Sequence, residues 1–177
     1  FTAEDIKNGK VTAMLREGDS YEFTVRGAQG YSFFNQVVDL AKEEPKAVEA
    51  ELVPLKTKTS IGLNDINFGS NSADLSSESF PELNRVVTLI LDNPNIKIEI
   101  AAHTDNVGNA GYNLKLSEKR AQAVVSYLLD NNVPADRIVA KGYGLTKPLV
   151  PNTSDENKAK NRRVEFNILE VIEGGNK

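Results

Sequence analysis

Between Ile96 and Arg120 the chain places a carboxylate, a guanidinium and a carboxamide around one polar loop. Asp105 stands at the end of an alternating run, Ile96-Lys97-Ile98-Glu99-Ile100, which reads as a period-2 strand. Gly108 and Gly111 break that pattern. A helix follows, with Ala121, Val124, Val125, Leu128 and Leu129 on one face. On this reading Arg120 sits about one turn into the helix. Asn113 lies roughly two turns before it, on the same face if the helix reaches back that far. A carboxylate and a two-pronged guanidinium facing one loop can bind a zwitterion: Asp105 takes an ammonium, Arg120 a carboxylate. The same two residues can equally form an internal salt bridge that only fixes the loop. The residues alone leave both readings open.

Other chemistry fits less well. His103, Asp105 and Ser117 suggest a hydrolase triad, but that needs the histidine between the serine and the aspartate. Ser117 reads as a first-turn helix residue, and no nucleophile elbow precedes it. The expectation is that the chain is not an enzyme. Asp105 to Asn109 does not follow the alternate-position ligand pattern of a calcium loop. One histidine and no cysteine argue against a zinc site. No cofactor or metal is implied. The basic run Lys158 to Arg163 reads as a solvated face, because the chain is acidic overall, with net charge -4 and pI near 5.2. Nucleic acid is not an expected partner.

The elements that must position the loop are legible on either side of it. Ile61 to Phe68 reads as a strand, followed by the polar loop Gly69-Ser70-Asn71-Ser72. Ser79 and Glu82 have capping-box spacing, and Pro81 fits a first helical turn. Leu83, Val86, Val87, Ile90 and Leu91 then make a helical stripe that Asn93-Pro94 ends. After the second helix, Asn131 to Pro134 is a stop. Ile138, Ala140 and Gly142 read as a strand, and 144–156 as a loop. Val164, Phe166 and Ile168 alternate with Arg163, Glu165 and Asn167 in a last strand. Two apolar helical stripes need one sheet face to cover. The expected fold is therefore α/β (α+β): a β/α/β/α/β-β mixed sheet with two long helices on one face, preceded by a small β-rich segment.

Four spaced blocks carry a family resemblance. They are His103-Thr104-Asp105-Asn106-x-Gly108, Tyr112-Asn113-x-x-Leu116-Ser117-x-x-Arg120-Ala121, Gly142-Tyr143-Gly144-x-x-x-Pro148 and Asn161-Arg162-Arg163-Val164. In this order they resemble the OmpA-like C-terminal domain, over about Ile61 to Leu169. The resemblance implies non-covalent binding of peptidoglycan through the meso-diaminopimelate of its stem peptide. Its key aspartate and arginine fall on Asp105 and Arg120. It also implies ligand contacts at Asn113, Asn71, Thr104 and Arg162, with His103, Asn106 and Gly108 in support and Arg163 supporting the fold. Asn71 reads equally well as a turn residue. Three positions depart from the pattern. Ala102 replaces a glycine, Gly69 an acidic residue, and Asn157-Lys158 a common Gly-Arg. The implied setting is the periplasm of a Gram-negative bacterium, tying an outer-membrane-associated protein to the cell wall. The alternative is an interaction domain of an envelope assembly, such as a type IX secretion component, that kept the fold and not the ligand.

Ahead of that block, residues 1–58 read as β-rich and 59–177 as the OmpA-like domain, with the connection at Lys56 to Ser60. Val11, Ala13 and Leu15 alternate, as do Tyr21, Phe23 and Val25. Arg16 to Ser20 between them is turn chemistry, which predicts a hairpin. Tyr31, Phe33 and Val37-Val38 suggest a third strand, and Val48, Ala50 and Leu52 a fourth. The segment weakly resembles a carboxypeptidase-regulatory-like β domain. With 40% apolar and 26% charged residues, the chain has an ordinary globular composition. No apolar run approaches the roughly 20 residues of a membrane-spanning helix. Phe1 is not a natural start, so the expectation is a mature or excised segment. Residues 173–177 read as frayed.

Overall fold

The computed structural model describes residues 15–26, 29–42, 49–50, 52–63, 66–69 and 71–172. These fall into two compact units: those within Phe1–Arg26 and Phe33–Leu52, and those within Gly27–Ser32 and Val53–Lys177.

In the first unit, β1 (Ser20–Arg26) pairs antiparallel with β2 (Phe33–Asp39), from Ser20 opposite Asp39 to Arg26 opposite Phe33. The expected partner of β1 was the run from Val11 to Leu15. Residues 11–14 lie outside the described residues, and Leu15 is in no strand. The Arg16–Ser20 turn instead closes on the far end of β2, where Leu40 N–H donates to Asp19 O and Gly18 N–H to Leu40 O. In the expected fourth strand Val48 lies outside the described residues, and Ala50 and Leu52 adopt no strand. Residues 173–177 also lie outside the described residues.

The second unit holds a four-stranded sheet. Its order is β3 (Ser60–Leu63), β6 (Val164–Val171), β4 (Ile96–His103), β5 (Ile138–Gly144). β4 runs parallel to β5 and antiparallel to β6, which is antiparallel to β3. β3 is shorter than expected, and Phe68 makes only an isolated bridge to Leu75. Helix α1 (Phe80–Asp92) links β3 to β4, and α2 (Ala110–Asp130) links β4 to β5. Right-handed crossovers stepping the same way across a sheet put both helices on one face. There they touch: Tyr127 Oη donates to Asn84 Oδ1 at 2.9 Å, and the Phe80 and Tyr127 rings stack 5.2 Å apart.

Strand alternation makes that face the apolar one. Ile98 opposes Ile168, Ile100 opposes Phe166 and Ala102 opposes Val164, all buried. Leu83, Val86 and Ile90 of α1 and Ala121, Val124 and Leu128 of α2 have no exposed surface. Leu91 and Leu129, expected in the stripes, are exposed, and Leu89 is buried in α1 instead. The cause is helix phase, which rotates about 100° per residue and carries the last stripe position past the contact.

Helix ends show what local pattern misjudged. A 3-10 turn (Ser77–Ser79), capped by Ser76, precedes α1. The expected capping box does not form, because Ser79 Oγ accepts the Asn67 N–H at 2.8 Å and Glu82 pairs with Arg85 at 2.9 Å. At the other end of α1, Arg137 donates to the carbonyls of Ile90 and Asn93 and to Ile96 O. The expected loop at 144–156 ends in a short helix, α3 (Asp155–Asn161), capped by Ser154 Oγ accepting Asn157 N–H.

The candidate functional site

The site is built where β4 ends. Thr104 N–H donates to Gly144 O of neighbouring β5, and Thr104 Oγ1 donates to Asp105 O. Both residues are buried. Asp105 Oδ1 accepts the Val107 N–H at 3.0 Å, closing a tight side-chain turn. Gly108 follows at φ +91°, where a side chain would be strained. Asn109 then caps α2, its Oδ1 accepting from Gly111 and Tyr112 N–H. Buried Asn113 donates its Nδ2 to Val107 O at 2.9 Å. Asn106 is exposed. One loop is thus pinned by Asp105, Asn109 and Asn113 together.

α2 starts at Ala110, so Arg120 lies about three turns in, not one. The helix starts earlier than expected because Asn109, not a later residue, supplies the cap. Asn113 and Arg120 therefore do share α2. Arg120 is half-buried, and its Nε donates to Ser72 O at 2.9 Å. Its guanidinium lies 5.0 Å from the Phe68 ring centroid. Among the described residues it makes no ion pair. Burial holds its pKa below the ordinary arginine value. Nearby Tyr112 opposes that shift, the positive charge of Arg162 adds to it, and Asp105 opposes it.

The ion pair the sequence allowed between Asp105 and Arg120 is not made. Asp105 Oδ2 instead accepts from Arg162 Nη1 at 2.7 Å. Arg162 follows α3, of which the expected loop took in only Asp155 and Glu156; the family resemblance puts Arg162 at the ligand site but does not name Asp105 as its partner. Arg163 points elsewhere, with Nε on Glu165 at 2.7 Å and its Nη atoms near Lys147 O. Asn71 is exposed, with φ +52° in a tight turn.

His103 belongs to the opposite, polar sheet face. Its ring stacks on Tyr143 at 5.2 Å, and Nε2 lies 3.5 Å from Glu165. Burial above all, then the charge of Arg163, pushes its pKa down to about 4; Glu165 opposes and Lys147 adds to the shift. The imidazole is therefore neutral near pH 7. Ser117 lies in the third turn of α2, not the first. Its hydroxyl donates to Leu114 O and accepts the Gly144 N–H, both at 2.8 Å. It is fully buried and shares no contact with His103, so no hydrolytic triad is assembled. Of the departures, Ala102 is accommodated in the buried sheet. Lys158 makes a surface pair with Asp155. A side chain at Gly69 would press on Ser72, whose carbonyl holds Arg120.

The model of the OmpA family matches residues 67–162, more than half of the chain. This chain belongs to the OmpA family. The match takes in the Phe68–Ser72 turn, the Asp105 loop, Arg120 and Arg162 together. Peptidoglycan-binding protein ArfA of Mycobacterium tuberculosis is 39% identical over 57% of the chain and 31% of its own length. Outer membrane protein A of Shigella flexneri is 33% identical over 70% of the chain and 39% of its own. The solved cell wall anchor of the type VI secretion system of Pseudomonas aeruginosa has 33% identity and a TM-score of 0.52. It covers 60% of this chain and 76% of that one. The chain spans 13% to 48% of the length of the curated relatives it matches. These relatives are named for peptidoglycan binding, the outer membrane and cell wall anchoring, and not for a reaction.

Sequence reasoning missed Asn161 as a structural centre. It is fully buried, accepts Leu149 and Val150 N–H on Oδ1, and donates Nδ2 to Val150 O and Asn152 Oδ1. That holds the 149–152 loop against the end of α3 and so sets where Arg162 emerges. No local pattern marks such a role.

Proposed function

We propose that residues 59–177 bind peptidoglycan non-covalently by gripping the meso-diaminopimelate of its stem peptide. Asp105 takes the ammonium and Arg120 the carboxylate, with Asn113, Thr104 and Asn71 shaping the rim. The observation that carries this reading is the state of Arg120. A half-buried guanidinium near a buried carboxylate, stacked on Phe68, hydrogen-bonded through Nε and without an ion pair among the described residues, is a receptor for an incoming carboxylate. Relatives named for peptidoglycan binding and cell wall anchoring support it. The module would hold an outer-membrane-associated protein to the wall from the periplasm of a Gram-negative bacterium.

Co-sedimentation with purified sacculi tests the proposal. Diaminopimelate-type sacculi should carry the protein down and lysine-type sacculi should not, because lysine lacks the carboxylate for Arg120 and would leave its fork unpaired. Asp105→Ala and Arg120→Ala should each lose binding tenfold or more, since removing one partner of a desolvated pair costs about 2–5 kcal/mol. Circular dichroism checks that each variant is folded. Folded variants that sediment like the parent would sink the clamp. The rival reading, an interaction domain without a wall ligand, draws on one observation: Asp105 already has a cation, Arg162. Equal indifference to both wall types would favour it.

A further inference from the structure

We infer that Arg162 is a specificity-determining residue of this site: an internal cation that occupies Asp105 until a ligand bearing both an ammonium and a carboxylate displaces it. The inference rests on the zwitterion reading above. The Arg162 side chain is 48% exposed, whereas that of Asp105 is 11% exposed. The contact is single-pronged, from Nη1 to Oδ2 only, because Oδ1 is committed to the Val107 N–H. The next residue shows the contrast. Arg163 is held through Nε and both Nη atoms and is largely buried. Releasing Arg162 breaks one side-chain contact and returns an already half-hydrated guanidinium to water.

Charge completes the argument. Arg162 pairs with Asp105, and Arg120, which pairs with neither, lies near enough for both of their charges to act on it. The site therefore holds one positive charge in excess. A ligand with only a carboxylate can add beside Arg120 and leave Arg162 in place. A ligand with only an ammonium must expel Arg162 and gains nothing at Arg120. A ligand with both exchanges cation for cation at Asp105 and neutralises Arg120 in the same event. Discrimination thus comes from the occupant to be displaced as well as from the contacts made.

Calorimetric titration of the full chain with meso-diaminopimelate and with pimelate, the same dicarboxylate without ammonium groups, tests this. Arg162→Gln should tighten diaminopimelate about twofold to fivefold, the scale of a partly exposed ion pair. It should leave pimelate unchanged or weaker. Arg162→Lys, which keeps the charge and loses the planar fork, should fall between the parent and Arg162→Gln. Weaker or equal diaminopimelate binding by Arg162→Gln overturns the inference and makes Arg162 a ligand contact or a bystander. Asp105→Asn and Arg120→Gln separate the two failures. If both lose diaminopimelate while Arg162→Gln does not gain it, only the role of Arg162 falls. If neither changes binding, the zwitterion reading falls and takes the role of Arg162 with it.

Discussion

His103 shows at residue scale how a motif histidine can serve structure. It is 2% exposed, stacked on Tyr143, and held neutral by a pKa near 4. Its unfolded value is near 6.5. Between these values the unfolded chain binds more protons, so folding stability falls as pH drops from 6.5 toward 4. Glu165 acts in the same direction at lower pH. Burial opposes its ionisation, but the hydrogen bond and charge of Arg163 prevail and hold its pKa below the usual glutamate value. The slope due to His103 should approach about 1.4 kcal/mol per pH unit at most. Urea midpoints measured across this range should fall steadily in the parent and much less in His103→Gln. Parallel curves for the two proteins would show that the histidine is not the acid-sensitive group.

At the scale of elements, the site depends on how closely α2 lies against β5. Gly142 allows that approach. A Cβ there would run into the backbone nitrogen of Glu118 and the Ser117 hydroxyl. Gly144, at φ +52°, lies under the backbone of Leu114 and donates its N–H to the Ser117 hydroxyl. α2 carries both Asn113 and Arg120, so a shift of this helix moves two of the proposed contacts at once. Gly142→Ala should therefore cost about 1–3 kcal/mol by overpacking and weaken sacculus binding in the folded fraction. Gly62→Ala on β3, where nothing lies near the added methyl, serves as the control and should change stability little. Equal urea midpoints for Gly142→Ala and the parent would show that the helix has room to move.

For the whole molecule, a net charge of -4 gives no overall attraction to an anionic wall. Binding through a partly buried ion-pair site is screened far less than binding through exposed charge. Sacculus affinity should then change less than about threefold between roughly 0.05 and 0.3 M salt. A tenfold loss in co-sedimentation over that range would point to diffuse surface attraction instead of a pocket.

Much of the architecture was readable because it follows from local periodicity. The Ile96–Ile100 alternation, the apolar stripes at Leu83–Ile90 and Ala121–Leu128, and the Val164–Ile168 alternation each name an element and its buried face. The four motif blocks identified the family, because their residue types and order are visible without coordinates. Helix starts were less legible, since Asn109 and Ser154 cap through geometry that several nearby polar residues could have offered. β1 pairs with β2, a neighbour the pattern did not name, because alternation marks a strand and leaves its partner open. Only the tertiary structure decided the charge pairing at the site. Arg120 and Arg162 are both arginines of the motif, and the chain order favours neither as the partner of Asp105. Folding brings Arg162 across 57 residues to that carboxylate and leaves Arg120 on Ser72 O, 48 residues away. Ion pairing depends on distance and burial in three dimensions, and a sequence records neither.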